Sequence, residues 1–357
     1  MEALPGAPAR IADVAAHAGV GVATVSRVLN GRPNVSAEKR DRVLFAIHEL
    51  NYRPSSVARN LSLGRTLVVG VIVPFFTSPS AVERMRGIVA ALEGSSYDVA
   101  LFDVESADRQ RRAFDLLGRG DRADGLLGVS FVPPAEELVR LQAAQLPCVL
   151  VDAPHAELPT VVINDVAAGE LATRHLIELG HRRIAFIGDT PADPFRFDSS
   201  GDRTRGYQRA LEKAGLPLQA DYVREGTQSR HVARSVAEEL LGLRERPTAV
   251  FAASDIQALG VVEAARSLGA RVPEDLSVIG FDDIEVASYA GLTTVRQPLF
   301  ESGRRGAELL LQALGGRELS ARTETLPVEI VLRGTTAPPA TRPRAARRRR
   351  ASAPAGA

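Results

Sequence analysis

Two series of short apolar runs, separated by polar stretches of helical period, constrain the fold of this chain more than any other feature. LVVGVIV (67–73), DVALF (98–102), GLLGV (125–129) and PCVLV (147–151) form the first series. RIAFIG (183–188), TAVFAA (248–253) and LSVIGF (276–281) form the second. Continuous apolar runs of strand length, alternating with helices, are the pattern of parallel strands buried on both faces. Two such series predict two doubly wound α/β lobes with parallel sheets. Ligands of such sheets sit beyond the carboxyl ends of the strands, so two facing lobes make a cleft that can close like a hinge.

A chain of 357 residues is long enough for two or three compact units, and 45% hydrophobic content is ample for their cores. No apolar run reaches the ~18 residues that would predict a membrane span. The N-terminal residues lack the basic start, apolar stretch and cleavage site of a signal peptide, so a cytoplasmic protein is expected. The single cysteine, Cys148, follows Pro147 in an apolar run and reads as a small buried hydrophobe.

The net charge of +1 hides an asymmetry. Residues 1–65 carry nine Lys/Arg against five Asp/Glu, or +4, and residues 338–357 carry six Arg and no acid, or +6. The remainder holds 29 bases against 38 acids, or −9. A basic head on an acidic body fits a chain whose head meets a polyanion, although random surface variation gives the same totals.

In the head, Ile11, Val14, Ala15 and Ala18 lie on one face of a short helix. Gly19 and Gly21 break it, and a second helix follows with Val25, Val28 and Leu29 apolar. Ser36 caps a third, whose expected apolar stripe is Val43, Leu44, Ile47 and Leu50. Three short helices, the first two joined by a glycine-containing turn, make a helix-turn-helix. The spacing alone equally fits a small helical subdomain with no nucleic-acid role.

The residue string decides between these readings. Ile11-Ala12-Asp13-Val14-Ala15, Ala18-Gly19-Val20, Ala23-Thr24-Val25-Ser26-Arg27-Val28-Leu29-Asn30, Val35-Ser36 and Leu50-Asn51-Tyr52-x-Pro54 closely resemble the headpiece of the lactose/galactose-repressor family. Gly180-His181-x-x-Ile184, Arg203-x-x-Gly206-Tyr207, Ala253-Ser254-Asp255, Gly280-Phe281-Asp282-Asp283 and Leu292-Thr293-Thr294-Val295-x-Gln297-Pro298 resemble that family's periplasmic-binding-protein-like core. Each core motif is weak alone, and their order and spacing are strong.

The resemblance implies an N-terminal all-α helix-turn-helix headpiece over residues 1–54, a hinge helix or linker over 55–65 and an effector-binding core over 66–337. Lobe one is expected at about 66–163 and 295–321, and lobe two at about 164–293 and 322–337, with crossings near 164, 294 and 322. Residues 338–357 read as a disordered, Arg-rich tail, either merely solvated or adding nonspecific phosphate contacts through Arg347 to Arg350.

For function, the resemblance implies a dimeric transcriptional regulator, a repressor, on a palindromic double-stranded operator. Its second partner is a small sugar-like effector; a tetramer is compatible, and no membrane, metal or cofactor is implied. Val22 and Ala23 sit where the family reads bases, an apolar pair of the galactose-repressor subtype suited to thymine methyls, and Arg27 is the long donor. Thr24, Ser26, Asn30, Ser36 and Tyr52 match positions that mostly hold phosphates. Ala58 and Leu61 fall in the hinge, where the family folds on the operator and a leucine wedges a base step. Gly21 departs from the family's usual serine cap.

By the same match Asp152, Arg203, Ser254, Asp282 and Gln297 face the effector. These groups suit hydroxyls, since carboxylates accept, guanidinium donates, and Ser and Gln do both. Each also has a plain structural alternative: Arg203 paired with Asp202 or another acid, Asp282 or Asp283 capping a turn, Ser254 capping the next helix. Where the family commonly has two aromatics after Asn-Pro, this chain has Ser78-Pro79-Ser80-Ala81. Phe75 and Phe76 come early, and Phe195 and Phe197 are candidate replacements. Enzymatic signatures are missing: with only Lys39 and Lys213, each preceded by Glu, no phosphate-binding G-x-x-x-x-G-K-[ST] loop exists, nor does G-x-G-x-x-G, H-E-x-x-H or G-x-S-x-G.

Overall fold

The structure, a computed structural model, describes residues 9–29, 34–52, 64–189 and 199–340. They belong to two units, one ending at Leu67 and one beginning at Val68, each described by itself. The expected sites Asn30, Ala58 and Leu61, the aromatics Phe195 and Phe197, most of the hinge, and the tail from residue 341 lie outside the described residues.

The first unit contains α1 (Ile11–Ala18), α2 (Val22–Leu29) and α3 (Ala37–Glu49). The Asp13 carboxylate accepts from the Arg10 backbone N–H at 2.7 Å, opening α1, and Gly19 closes it at φ 61°. Only a residue without Cβ takes that left-handed turn at no steric cost. Val14, Ala15, Ala18, Val25, Val28, Val43, Ala46 and Tyr52 form the core. Leu44, expected in this core, is 51% exposed, and Ala46 is buried in its stead. Three residues on from Val43 lies the same helix face, whereas the next residue is turned about 100° away. Exposed Phe45 stacks on His17, with ring centroids 6.4 Å apart.

The second unit has two six-stranded sheets. In the first lobe these are β1 (Val68–Val73), β2 (Asp98–Asp103), β3 (Gly125–Val129), β4 (Cys148–Val151), β5 (Thr160–Val162) and, from far along the chain, β11 (Thr323–Thr325). Their order is β11-β5-β4-β3-β1-β2, parallel throughout. The second lobe holds β6 (Ile184–Asp189), β7 (Val223–Gly226), β8 (Ala249–Ala252), β9 (Ser277–Asp282), β10 (Thr293–Arg296) and β12 (Glu329–Val331). Their order is β12-β10-β9-β8-β6-β7. The expectation of parallel sheets needs one correction: β12 runs antiparallel to β10, with Thr294 opposite Val331.

The chain passes between the sheets three times. The first passage follows β5, the second follows Arg296 and the third follows Thr325. The latter two come later than the 294 and 322 read from sequence, because β10 and β11 are short strands completing a sheet before the chain leaves it.

Helices α4 (Pro79–Leu92), α5 (Ala107–Leu117) and α6 (Ala135–Ala143) belong to the first lobe's connections. Helices α7 (Asp165–Glu178), α8 (Ser199–Lys213), α9 (Arg230–Gly242), α10 (Asp255–Ser267) and α11 (Glu285–Tyr289) belong to the second. Helix α12 (Leu299–Leu314) returns to pack on α4, β3, β4 and β5. At Gly303 a Cβ would lie 2.0 Å from the Arg84 carbonyl oxygen, so α12 and α4 meet backbone to backbone. At Gly206 a Cβ would lie 2.2 Å from the Val166 carbonyl oxygen, which joins α8 to α7 in the same way. Cys148 is buried as expected, and burial pushes its thiol up to about 12.

Several motifs that carry the family resemblance are scaffold. The Tyr207 hydroxyl donates to the Ile184 carbonyl at 2.8 Å. His181 lies within 3.0 Å of the Thr248 and Ser277 hydroxyls and 2.9 Å of the Ala337 carbonyl. Through it the segment after β12 is fixed to the second sheet, up to the boundary of the expected tail.

Candidate functional site: an exposed recognition helix and a buried cleft cluster

On α2 the face away from the headpiece core carries Val22 (45% exposed), Ala23 and Arg27, all exposed, with Thr24 and Ser26 half-buried. Val25 and Val28 point into the core and fix that orientation. Thr24 N and Val25 N donate to the Gly21 carbonyl at 2.8 and 3.3 Å, and Gly21 has no side chain with which to cap the helix. Ser36 is exposed at the start of α3 and makes no side-chain cap there. Tyr52, expected at a phosphate, packs in the headpiece core at 9% exposure.

In the second unit the expected effector residues come from the carboxyl ends of strands, or from the helix that follows one, in both sheets. Asp152 follows β4, Ser254 follows β8, Asp282 ends β9, Gln297 follows β10, and Arg203 lies on α8 after β6. Every one of them is buried. Asp152, Asp282 and Asp283 have φ of 61°, 114° and 59°, and Ser130 after β3 has 49°. Non-glycine residues in such conformations cost about 1–3 kcal/mol each and cluster at functional sites.

Sequence reasoning missed Arg84, which ties the set together. Its Nη2 forms an ion pair with Asp152 at 2.8 Å and donates to the Gln297 amide oxygen at 2.9 Å. The Gln297 amide nitrogen donates in turn to Asp282 at 2.5 Å, so one chain of polar contacts runs from the first lobe to the second. The Ser130 hydroxyl donates to the other Asp152 oxygen at 2.6 Å. No motif announced Arg84. Its signal is a charged residue on the apolar face of α4, beside Ala81, Gly87 and Ile88.

Arg203 pairs with Asp165 at 2.8 Å rather than with Asp202, which pairs with Arg205. It also donates to the Ala253 carbonyl at 2.7 Å and lies 3.6 Å over the Phe281 ring. Burial raises Asp165 to about 6, against the lowering pull of Arg203. Asp282 is likewise raised, chiefly by desolvation.

Ser254 is the N-cap of α10: its hydroxyl accepts from Gln257 N at 3.3 Å. Gln257, also missed, reaches Asp189 at the end of β6 at 2.9 Å. Asp283 holds Arg296 and Arg333 and stands outside the cluster. Ser78 caps α4 by accepting from Ala81 N at 3.3 Å, while Phe75 and Phe76 are exposed. A groove of about 480 Å³ lined by Phe114, Arg119 and Arg140 shares no residue with the cluster. Among the described residues no group of His, Cys, Asp and Glu could hold a metal ion.

Asp255, buried next to Ser254, accepts from Ile284 N at 2.9 Å and from the Thr294 hydroxyl at 2.5 Å. Burial first, then neighbouring Asp282, pushes it from 3.8 up to about 8. The folded state therefore holds a proton on Asp255 that the unfolded state has released. This contribution is full below about pH 4 and is lost as pH rises through 8. In urea unfolding, the stability deficit of Asp255→Asn relative to wild type is expected to shrink between pH 5 and pH 8. A deficit that grows over that range contradicts the assignment.

Comparison with known proteins agrees with this arrangement. The family "Bacterial regulatory proteins, lacI family" matches residues 10–55, and "Periplasmic binding protein-like domain" matches residues 173–336. Catabolite control protein A of Priestia megaterium is 35% identical over 332 residues, covering 91% of this chain and 98% of the relative. The HTH-type transcriptional repressor CytR of Escherichia coli is 34% identical, covering 92% and 96%. Among solved structures, the Lac repressor dimer bound to operator and the anti-inducer ONPF superposes with TM-score 0.81 at 29% identity, covering 93% of this chain and all of that one. The transcriptional regulator CelR–cellobiose complex gives TM-score 0.68 at 32% identity, covering 92% and 99%. This chain belongs to the lacI family of bacterial regulatory proteins and is a DNA-binding transcriptional regulator.

Proposed function

We propose that the protein is a homodimeric repressor of a near-palindromic operator, controlled by a small sugar-like effector in the cleft between the two sheets. The observation that carries this reading is the chain Asp152–Arg84–Gln297–Asp282, which gathers polar groups from both sheets where doubly wound folds bind ligands. Val22, Ala23 and Arg27 read bases in the major groove, and Thr24, Ser26 and Ser36 hold phosphates. Asn30, Ala58 and Leu61 keep their proposed DNA roles from the sequence motif alone. Arg203, Asp282, Asp152 and Gln297 form the polar wall of the cleft, and Ser254 supports it by shaping the start of α10.

Exposed Val82 and Val89 on α4, with Tyr289 and Leu332 on the second lobe, supply apolar surface for pairing two copies. The cleft groups are binding groups for hydroxyls: buried ion pairs, an amide side chain and the Ser130 hydroxyl on Asp152. The protein works in the cytoplasm, on the nucleoid, and no helix among the described residues is long and apolar enough to cross a membrane.

The test is selection of genomic fragments on the immobilised full chain, followed by footprinting. Two protected half-sites related by a two-fold axis are expected, because paired headpieces impose their symmetry on the DNA. Fragments retained without any shared symmetric sequence would contradict the proposal.

A further inference from the structure

We infer that Arg84 contacts the effector directly and that the effector is a neutral, hydroxyl-rich molecule rather than an anion. The inference rests on the cleft reading above and adds a residue and a charge class to it.

Arg84 is held where it is. Its backbone carbonyl faces Gly303 at a distance that leaves no room for a Cβ, so α4 and α12 pack backbone to backbone at this point. Its side chain is 3% exposed, and the small residues Ser80 and Ala81 lie one turn before it on α4. Nη2 already has an ion-pair partner in Asp152 and an acceptor in Gln297. Nε, in the same planar fork, is buried and has no acceptor. An orphaned buried donor costs about 1–3 kcal/mol, more on a charged group, and an acceptor atom on a ligand would recover it.

The charges decide what kind of acceptor. Arg84 and Arg203 stand among Asp152, Asp165 and Asp282, two cations against three carboxylates. Each arginine already has a carboxylate partner within 2.8 Å. A phosphate or carboxylate would have to break one of those buried pairs or sit beside like charge, and both are costly in a desolvated site. A hydroxyl meets no such obstacle. It accepts from Nε with its lone pair and donates its own proton to a carboxylate, a combination that an oxyanion cannot make.

The experiment is calorimetric titration of the full-length protein with matched pairs: glucose with glucose 6-phosphate and glucuronate, ribose with ribose 5-phosphate, cellobiose with cellobionate, cytidine with its monophosphate. A neutral member should bind, with its anionic counterpart at least about tenfold weaker. Preference for the anion, or binding by no neutral member, overturns the inference. Arg84→Lys, which keeps the charge and loses the fork, should weaken the neutral ligand about tenfold or more. Should that variant fold poorly, the neutral-against-anion comparison on wild type still decides. Asp282→Asn separates the two proposals. If it loses binding while Arg84→Lys retains it, only the assignment of Arg84 fails. If both variants bind like wild type, the cleft reading fails as well.

Discussion

Arg203→Ala is expected to destabilise the second lobe by about 3–5 kcal/mol, because it removes one partner of a buried ion pair and strands the other. Asp165 would remain at the start of α7, 11% exposed, without its guanidinium. The Ala253 carbonyl would lose its 2.7 Å donor, and the Phe281 face would lose the cation lying 3.6 Å above it. Urea unfolding of wild type and variant measures the loss. Pairing Arg203→Met with Asp165→Leu should recover most of it, since removing both charges leaves none unpaired. A loss under about 1 kcal/mol in the single variant would show that the pair is more solvated than its burial indicates. Read from sequence, the same substitution is a clean probe of effector response. The structure makes it a folding mutation first, so Asp282 is the better probe.

Arg27→Ala should act on DNA and nowhere else. Arg27 is exposed on α2, and no described headpiece contact depends on it. A bidentate arginine–guanine contact is worth about 1–3 kcal/mol of discrimination, a loss of roughly 5- to 150-fold on the selected operator. One symmetric pair of operator positions should become tolerant of substitution. Competition binding against an operator library reads both effects, with circular dichroism to confirm the helices. Unchanged sequence preference would remove Arg27 from base readout and shift that role to Val22 and Ala23.

The sequence made the apolar strands legible and left the short, half-polar ones hidden. β1, β3, β4, β6, β8 and β9 coincide with apolar runs, because a strand covered on both faces must be apolar throughout, and the half-exposed edge strand β2 still shows in the run DVALF. β5, β7, β10, β11 and β12 are only three or four residues long, and most are half-polar, with too few residues to show a period. That is why two crossings are displaced in the sequence reading. In the headpiece, Val43 was legible as core, but Leu44 was taken for core on hydrophobicity when helix geometry turns it outward.

The site was legible in part, for a related reason. Arg203, Asp282 and Gln297 sit in recognisable strings, Asp152 follows an apolar run, and the structure brings all four into one neighbourhood. Ser254 followed the plain alternative and caps a helix. Arg84 and Gln257 lie inside helices with no motif around them, and their roles come from residues 213 and 68 positions away. Contacts of that separation are a product of topology, which a local pattern does not encode.

On the proposed function, effector in the cleft changes operator affinity, because it favours one of two conformations of the core. Titrating effector into the operator complex, followed by fluorescence anisotropy, tests it most directly when wild type and Asp282→Asn are compared. Asparagine tolerates the positive φ of position 282 and keeps an acceptor for Gln297, so the fold should persist while the carboxylate is lost. Wild-type operator affinity should change by about 5-fold or more at saturating effector, the usual lower range of such coupling. Asp282→Asn should bind operator within about 2-fold of wild type without effector and show little response to it, because a ligand shifts an equilibrium only by its differential affinity. Wild-type operator affinity that stays unchanged at saturating effector would contradict the coupling, and a variant that responds at wild-type effector concentrations would remove Asp282 from the effector site.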